Sequence, residues 1–407
     1  MLSKSTQTIL VASLLILPVC MCSGSEKIKV LILIRDDRIP GMNRFFGSEP
    51  AVDLHIVMTR NKAMPDPDLV KLIRLYFPRT YEDFTEYDVL ILSQPTYDLF
   101  TTKQDTWIHD AIRDGSGGLN DGSTFSQVPG IPEAWASGIA WEAFPNDAPY
   151  VVANHVAWAP VSFLEVDINE EHPDPVLTVF IPFGAEMAVA EVSRLVIPRE
   201  GSGILAWQVG NYPTKEAYLT SWEYGEGRAM TIGGQLTGGW TAYPSGATGE
   251  NTYAPEILMN MVFWLAGTEL IDDVEVFHRI KADFSEFRAR RAVLLSLIDF
   301  IDNFGANTGE IQEDIVELED IYREAVEKYL EHDFVQSESA LRAGLDGFGE
   351  VEEAARREKE RALLWVYAIE WLVSSSTFFI SSFALWTLMV RRRLYRDVET
   401  TKLNAQA

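Results

Sequence analysis

Cysteine is nearly absent from this chain of 407 residues, which has only Cys20 and Cys22. Basic residues are also scarce, because 34 Lys and Arg stand against 60 Asp and Glu and give a formal net charge of −26. A phosphate backbone is repelled by such an excess of negative charge, so we expect no nucleic-acid binding. A hydrophobic fraction of 47% supplies enough apolar material for a large core and excludes a disordered chain.

Both cysteines lie in an N-terminal segment that is typical of a secretory signal peptide. Lys4 precedes an apolar run from Ile9 to Val19, and small and polar residues follow it. The run is too short to cross a hydrocarbon core of about 30 Å. We expect residues 1–22 to be a signal peptide; a buried helix or a lipid-modified cysteine is the alternative. Cleavage after this segment leaves no disulfide, thiolate nucleophile or cysteine metal ligand.

A long hydrophobic segment lies near the other end of the sequence. From Ala362 to Val390 the only charged residue is Glu370, and Arg391 begins a basic stop. The run is long enough for a tilted transmembrane helix. Together with the signal peptide it predicts a type I single-pass protein of the cell membrane, with an extracellular N-terminal part and a short cytoplasmic tail at residues 391–407. We expect Glu370 to reach the interface, the alternative being contact with a partner helix.

The first part of the chain alternates between apolar strands and amphipathic helices. Strands are predicted at 28–34, 53–58 and 87–93, and helices at 67–76 and 101–113. This alternation predicts a parallel sheet covered on both faces, which binds ligands beyond the carboxyl ends of its strands. The candidate ligand-binding residues at those positions are Asp36, Asp37, Thr96, Asp121 and Ser123. No third ligand accompanies the two neighbouring aspartates at metal-binding spacing, so we predict no metal and no cofactor.

Short motifs follow one another in a characteristic order after the third predicted strand. They are Gly115-Ser116-Gly117-Gly118-Leu119, Phe125–Pro132, Leu205-Ala206-Trp207, Tyr224-Gly225-Glu226-Gly227-Arg228, Gln235–Trp240 and Met261–Gly267. This order resembles the glutamine amidotransferase-like family, a branch of the class I glutamine amidotransferase fold close to ThuA-like proteins. The resemblance spans Ile28 to Gly267 and implies a flavodoxin-like domain at residues 26–268. It also implies a hairpin in which Gly225 and Gly227 adopt positive φ.

The chemistry of true amidotransferases is not expected from this sequence. They attack a glutamine amide with a cysteine thiolate that a histidine activates, and this chain has no cysteine beyond residue 22. None of its six histidines lies in a catalytic motif. The polar stretch from Gly118 to Thr124 replaces an apolar strand, and we interpret it as a turn, with a small ligand loop as the alternative. A distance of about 3.2 Å from His109 or His155 to Ser123 or to a pair of aspartates would favour an enzyme.

Tryptophans crowd the later part of the same domain. They are Trp135, Trp141, Trp158, Trp207, Trp222 and Trp240, and tyrosines at 212, 218 and 243 accompany them. Aromatic rings at such density suit either a glycan-binding platform or the packing of hairpins, and packing is favoured. No glycine-rich phosphate-binding motif is present, so nucleotide binding has no support.

The composition changes beyond Thr268 to Glu, Lys, Arg, Leu and Ala with helical spacing of apolar residues. Breaks at 304–309 and 332–334 divide this region, residues 269–361, into helices. We predict a helical bundle or coiled-coil stalk, with a peptide-binding repeat as the alternative. Gly344, Gly347 and Gly349 predict a kink shortly before the transmembrane helix at residues 362–390.

The sequence as a whole predicts a single-pass, membrane-anchored extracellular protein of a bacterial or archaeal surface. Its function would be binding or scaffolding, with a catalytically inactive amidotransferase-like domain. Its partners would be the lipid bilayer and other membrane or envelope proteins that contact the stalk or the transmembrane helix. The alternative is a membrane-tethered ThuA-like hydrolase or carbohydrate-processing domain that uses polar groups other than cysteine.

Overall fold

The computed structural model describes residues 26–35, 39–47, 49–61, 63–93, 95–121, 138–147, 164–183, 187–189, 196–209, 216–233, 236, 253–304 and 308–404. Its strands are β1 Ile28–Arg35, β2 Val52–Arg60, β3 Val89–Ser93, β4 Gly117–Asp121, β5 Asn146–Asp147, β6 Leu164–Ile168, β7 Met187–Val189, β8 Ile197–Pro198, β9 Gly203–Val209, β10 Glu216–Tyr224 and β11 Gly227–Ile232. Its helices are α1 Ile39–Phe46, α2 Asp66–Tyr76, α3 Tyr81–Phe84, α4 Thr102–Arg113, α5 Ala254–Leu265, α6 Val274–Asp302, α7 Gly309–Leu330 and α8 Phe334–Asn404.

A nine-stranded mixed sheet has the order β2-β1-β3-β4-β11-β10-β9-β6-β7. The strands from β2 to β11 in this order run parallel, and those from β11 to β7 pair antiparallel. The prediction of an α/β part followed by a helical part is confirmed. The expected parallel pairing occurs only in the half of the sheet from β2 to β11. The tight turn between β10 and β11 explains the change, since a two-residue connection joins only antiparallel neighbours.

Helices cover both faces of the parallel half. On one side, here called the α5 face, Val30, Ile91 and Leu119 are buried together with residues of α5 such as Phe263. On the other, the α4 face, Leu31, Leu33, Leu90 and Leu92 pack with Ile108 and Ile112 of α4. Neighbouring residues of one strand therefore serve two cores, which is why β1 and β3 are apolar throughout.

The central strand β4 contradicts the interpretation of its sequence as a turn. All five residues from Gly117 to Asp121 are buried between β3 and β11. A Cβ at Gly117 would lie 2.6 Å from the carbonyl oxygen of Leu265, and one at Gly118 would lie 2.6 Å from Cδ1 of Ile112. The glycines therefore let α5 and α4 approach this strand from both faces, which explains a central strand with so little apolar character.

The hairpin between β10 and β11 confirms one of its two predicted glycine conformations. Gly225 has φ 64°, in the left-handed region that favours glycine. Gly227 does not adopt positive φ, so that prediction is wrong. The residue is required for a different reason, because a Cβ there would lie 2.1 Å from the carbonyl oxygen of Ile112 and 2.4 Å from that of Ser116.

Helices α6, α7 and α8 form a bundle. The ring of Phe287 on α6 lies 4.9 Å from Tyr322 of α7 and 4.8 Å from Phe348 of α8. The bundle also packs against the sheet domain, since Phe277 of α6 lies 6.1 Å from Phe263 of α5. One continuous cluster of buried apolar residues runs from the sheet into the three helices, so the bundle is docked on the α5 face.

The third helix of the bundle continues far beyond it. Helix α8 has 71 residues and passes through the three glycines that predicted a kink without interruption. A Cβ at Gly344 would lie 2.8 Å from the ring of Phe287, and one at Gly347 would lie 3.0 Å from Cδ2 of Leu318. These two glycines serve close helix packing. Within the described part of the chain, one helix is long and apolar enough to cross a membrane, Phe334–Tyr395, with mean hydropathy 1.5 in its most apolar window.

The turn between α7 and α8 gives a pH-dependent prediction. His332 has φ 59°, and its ring lies 5.2 Å from that of Phe263 and 5.4 Å from that of Phe334. Burial lowers the pKa of His332, and Glu269 and Asp272 oppose this only in part. The unfolded chain therefore binds the proton more readily than the folded protein does. The neutral His332 side chain contributes fully to stability above the usual histidine pKa of about 6.5. This contribution is lost as the pH falls from there towards the lower pKa of His332 in the folded protein.

We expect the free energy of unfolding, measured in detergent between about pH 7.5 and pH 5, to fall less steeply with acid in His332→Asn than in the wild type. Asparagine is the suitable replacement because it tolerates the left-handed conformation. Identical pH profiles for the two proteins would show that His332 does not contribute to the pH dependence of stability.

Candidate functional site

Buried polar side chains collect where the parallel strands end, here called the carboxyl end of the sheet. None is more than 1% exposed, although strand ends at a surface normally keep such groups in water. They are Thr59 of β2, Ser93 of β3, Asn120 and Asp121 of β4, Asn146 of β5 and Thr231 of β11. Open α/β sheets bind ligands in this position, which makes it the candidate functional site.

On the α5 face the site holds a hydroxyl and a carboxyl group. Ser93 and Asp121 end the neighbouring strands β3 and β4, and Ser93 Oγ donates to Asp121 Oδ2 at 3.0 Å. Both residues are completely buried. A carboxyl group away from water is costly unless it is hydrogen-bonded, so this bond helps to keep Asp121 at the strand end.

On the α4 face three side chains form a hydrogen-bonded chain. Asn120 Nδ2 donates to Thr231 Oγ1 at 2.9 Å, and Thr231 Oγ1 donates to Asn146 Oδ1 at 2.6 Å. Asn120 Oδ1 is buried and has no hydrogen-bond partner among the described residues. A buried acceptor of this kind gains free energy when a ligand supplies a donor.

The structure brings together only part of the set predicted from sequence. Asp121 lies in the site, and Thr96 is half-buried in the segment that follows β3. Asp36, Asp37 and Ser123 lie outside the described residues. Sequence reasoning missed Ser93, Asn120, Thr231 and Asn146. Ser93 and Thr231 had a visible signal, a polar residue near the end of an apolar strand. Asn120 lies in a strand with few apolar residues, and Asn146 lies in the two-residue strand β5, so neither had such a signal.

One of the two histidines whose distance to Ser123 would favour an enzyme makes its contacts elsewhere. His109 Nε2 lies 2.8 Å from Tyr224 Oη, and its Nδ1 lies 2.9 Å from Asp110 Oδ1. Tyr224 pairs with Gly227 at the start of β11, so His109 faces the opposite end of the sheet from Asp121. The second candidate, His155, lies outside the described residues.

A serine and a histidine do meet in the antiparallel half of the sheet. Ser221 Oγ of β10 lies 3.4 Å from His172 Nε2. The backbone N–H of Asp174 donates to His172 Nδ1 at 3.1 Å, which favours a neutral ring with its proton on Nε2, although the carbonyl oxygen of Asp174 lies 3.3 Å from the same Nδ1. A general base for Ser221 needs the opposite tautomer. The carboxylate of Asp174 contacts another group, since its Oδ2 accepts from Trp264 Nε1 at 3.0 Å.

Among the described aromatic residues, Trp141 and Trp222 pack on the α4 face of the sheet. Trp135, Trp158, Trp240, Tyr212 and Tyr243 lie outside the described residues. The guanidinium of Arg199 lies 4.0 Å from the ring centre of Trp141 and 5.6 Å from that of Trp222. Burial lowers the pKa of Arg199, and Asp147 opposes this shift. Because the chain's own arginine covers these indoles, their contacts fit packing better than a glycan platform. Tyr218 is fully buried.

No group of three or more His, Cys, Asp or Glu residues that could hold a metal occurs in the part of the chain that the structure describes. The carboxyl end of the sheet offers amide, hydroxyl and carboxyl groups instead. This donor and acceptor set suits a small polar ligand that both donates and accepts hydrogen bonds.

Removal of the Ser93 hydroxyl is expected to destabilise the protein by about 1–3 kcal/mol, since the buried Asp121 carboxyl loses a hydrogen bond. Ser202→Ala is the control for Ser93→Ala, because Ser202 Oγ donates only to the backbone carbonyl of Arg199, at 2.8 Å. The difference between the two variants separates the loss of the bond to Asp121 from the loss of a hydroxyl in general. The measurement is thermal unfolding of both variants. Equal shifts would show that the Ser93–Asp121 bond contributes little.

Comparison with solved structures gives distant likenesses. No family model and no curated protein matches this chain. A cytoplasmic protein from Salmonella typhimurium is similar in structure, with TM-score 0.41, 12% identity and coverage of 58% of this chain and 98% of that one. A ThuA-like protein from Bacteroides uniformis has TM-score 0.35 and 14% identity, and the match covers 59% of this chain and 92% of that one. A β-galactosidase from Bacillus circulans sp. alkalophilus has TM-score 0.34 and 11% identity, and the match covers 60% of this chain and 32% of that one. Likenesses this distant carry no argument about function.

Proposed function

We propose that this chain is a membrane-anchored binding protein whose sheet domain is held outside the bilayer by its helical bundle. The observation that carries the proposal is the continuity of α8. Ala362 is still buried in the bundle, at 3% exposure, whereas Trp365, one turn later, is 67% exposed. The helix therefore leaves the protein core and becomes apolar on all sides within one turn, as a membrane span does.

The sheet domain belongs, in this proposal, to the flavodoxin-like type of the class I amidotransferase fold. Its parallel strands have the order β2-β1-β3-β4-β11, which matches the flavodoxin-like order 2-1-3-4-5 once β11 is counted as the fifth strand. Ligands of such sheets bind at the carboxyl end near β1 and β3, beside Ser93 at the end of β3 and Asp121 at the end of the neighbouring strand β4.

Binding is favoured over catalysis because the polar groups at this end hydrogen-bond one another. A serine nucleophile is usually activated by a histidine, whereas the group that accepts the hydrogen bond of Ser93 is Asp121, whose buried carboxyl is stabilised by it. The free acceptor of Asn120 fits recognition of a donor on a ligand. The absence of a cysteine beyond residue 22 further predicts that the purified protein releases no ammonia from glutamine.

A membrane-tethered hydrolase is the second candidate, and the buried hydroxyl–carboxyl pair of Ser93 and Asp121 is the observation that favours it. Hydrolysis of test esters or glycosides by the purified protein, abolished by Asp121→Asn while the fold is retained, would select this candidate. No turnover by wild-type protein would leave binding as the function.

The membrane anchor is tested by fractionation. We expect the full chain to sediment with membranes and to resist extraction by alkaline carbonate. Ile380→Arg should release it, because an arginine near the centre of a span costs about 2.5–3.5 kcal/mol on insertion. Val335→Arg is the matched control: Val335 is an equally exposed aliphatic residue of α8, but it lies in the bundle. Carbonate extraction of the wild-type chain would contradict the proposal.

A further inference from the structure

The helices α6 and α8 run parallel with a fixed register. Arg279 Nε donates to Glu338 Oε1 at 2.8 Å, across 59 residues of sequence. Asp283 and Arg342 repeat this spacing in an ion pair of 3.6 Å. Near the end of α6, Lys359 Nζ lies 5.7 Å from the ring centre of Phe300 and keeps the same spacing. Phe304 is therefore level with Leu363 of α8.

That level is where the apolar part of α8 begins. Arg361 is the last charged residue before the apolar run, and it pairs with Glu358 at 2.9 Å. Ala362 follows and is buried, and Leu364 and Trp365 are the first apolar residues of the run that are mostly exposed. If this run spans a bilayer, the end of α6 lies at the membrane surface.

Two phenylalanines lie side by side at this end of the bundle. Phe300 is 38% exposed and Phe304 is 43% exposed, and their ring centres are 4.9 Å apart. Asp302 ends α6 directly beside them, and Asp299 is exposed on the same turn. In a soluble bundle the exposed parts of these two rings would remain in water, whereas the interface of a membrane favours aromatic rings.

We propose that the tip formed by Phe300 and Phe304 is a second membrane contact, in which both rings enter the interfacial layer of a zwitterionic lipid surface beside the span. This inference rests on the proposed membrane anchor. The aspartates on the tip disfavour a strongly anionic surface, and Lys359 and Arg361 lie at the level of the lipid phosphates.

A contact at two points fixes the orientation of the bundle. With one span alone, the protein outside the membrane tilts freely about the helix. When the tip also contacts the lipid, the long axis of the bundle is held upright on the bilayer. At 1.5 Å per residue, the far end of the bundle at Phe334 then lies about 40 Å above the start of the span. The carboxyl end of the sheet is then presented at a defined height.

The test uses the full chain with Cys20→Ser and Cys22→Ser, reconstituted into phosphatidylcholine vesicles with and without a headgroup-proximal quencher lipid. Single cysteines carry a fluorophore in the variants Phe304→Cys, Val316→Cys and Leu364→Cys. Val316 is the matched control, an exposed apolar residue of α7 about 15 Å further from the membrane by helix rise.

We expect strong quenching at positions 304 and 364 and none at 316, with an unchanged unfolding temperature in all three variants. Quenching at 364 without quenching at 304 would overturn the tip contact and leave the membrane span intact. Equal quenching at 304 and 316 would overturn it too, since the bundle would then lie flat. No quenching at 364 would contradict the membrane anchor itself. Added anionic lipid should not increase the signal at 304.

Discussion

Gly227→Ala is expected to destabilise the sheet domain by about 3 kcal/mol or more, at the upper end of the range for overpacked cores. The added Cβ would lie 2.1 Å from the carbonyl oxygen of Ile112 and 2.4 Å from that of Ser116. Both atoms belong to the backbone, one in the last turn of α4 and one in the turn between α4 and β4, so no flexible side chain can move out of the way. Either β11 or α4 must move, and β11 is a central strand of the sheet.

A second glycine supplies the control for this prediction. Gly349 lies inside α8, and a Cβ there would have no neighbour within 4 Å. Gly349→Ala should therefore stabilise the protein by about 0.5–1 kcal/mol through helix propensity alone. Thermal and denaturant unfolding of both variants gives the comparison. A decrease of less than about 1 kcal/mol in the free energy of unfolding of Gly227→Ala would show that α4 does not pack as closely on β11 as described.

Lys281→Met is expected to cost about 3–5 kcal/mol, because it leaves a buried carboxylate without its cation. The Glu49 side chain is 0% exposed, and Lys281 Nζ lies 3.1 Å from its Oε2. Tyr329 Oη donates to Glu49 Oε1 at 2.6 Å. Burial, followed by the charge of Glu49, raises the pKa of Tyr329 far above its ordinary value, so the phenol stays a donor.

These three groups join the loop before β2 to α6 and α7, so the variant also tests the docking of the bundle on the sheet. Arg323→Met is the control, since its ion pair with Asp320 at 2.7 Å is exposed and should contribute at most about 1 kcal/mol. Glu49→Gln combined with Lys281→Met should recover much of the loss. Equal effects of Lys281→Met and Arg323→Met would indicate that the contact is open to water.

The sequence predicted those features that depend on neighbouring residues. The apolar pattern located β1 to β3, α2, α4 and the long apolar part of α8, and Gly225 marked the hairpin turn. It failed for β4, because Asn120 can be buried only through Thr231, which is 111 residues away. The docking of the bundle likewise depends on Glu49 and Tyr329, which are 280 residues apart. Contacts at such separation leave no periodic signal.

The candidate site shows the same limit. Asp121 was found because ligands gather at strand ends, whereas Asn146 enters the site only through tertiary contacts with Thr231. The role of Gly227 was also invisible, because a close approach of two backbones looks the same in sequence as a turn.

Orientation of the anchored chain tests the central claim most directly. Intact cells that produce Val335→Cys or Thr401→Cys, in a chain with Cys20→Ser and Cys22→Ser, are treated with a membrane-impermeant thiol reagent. We predict labelling at 335 in intact cells and labelling at 401 only after the membrane is opened. Labelling at 401 in intact cells, with 335 protected, would contradict an extracellular sheet domain held by its last helix.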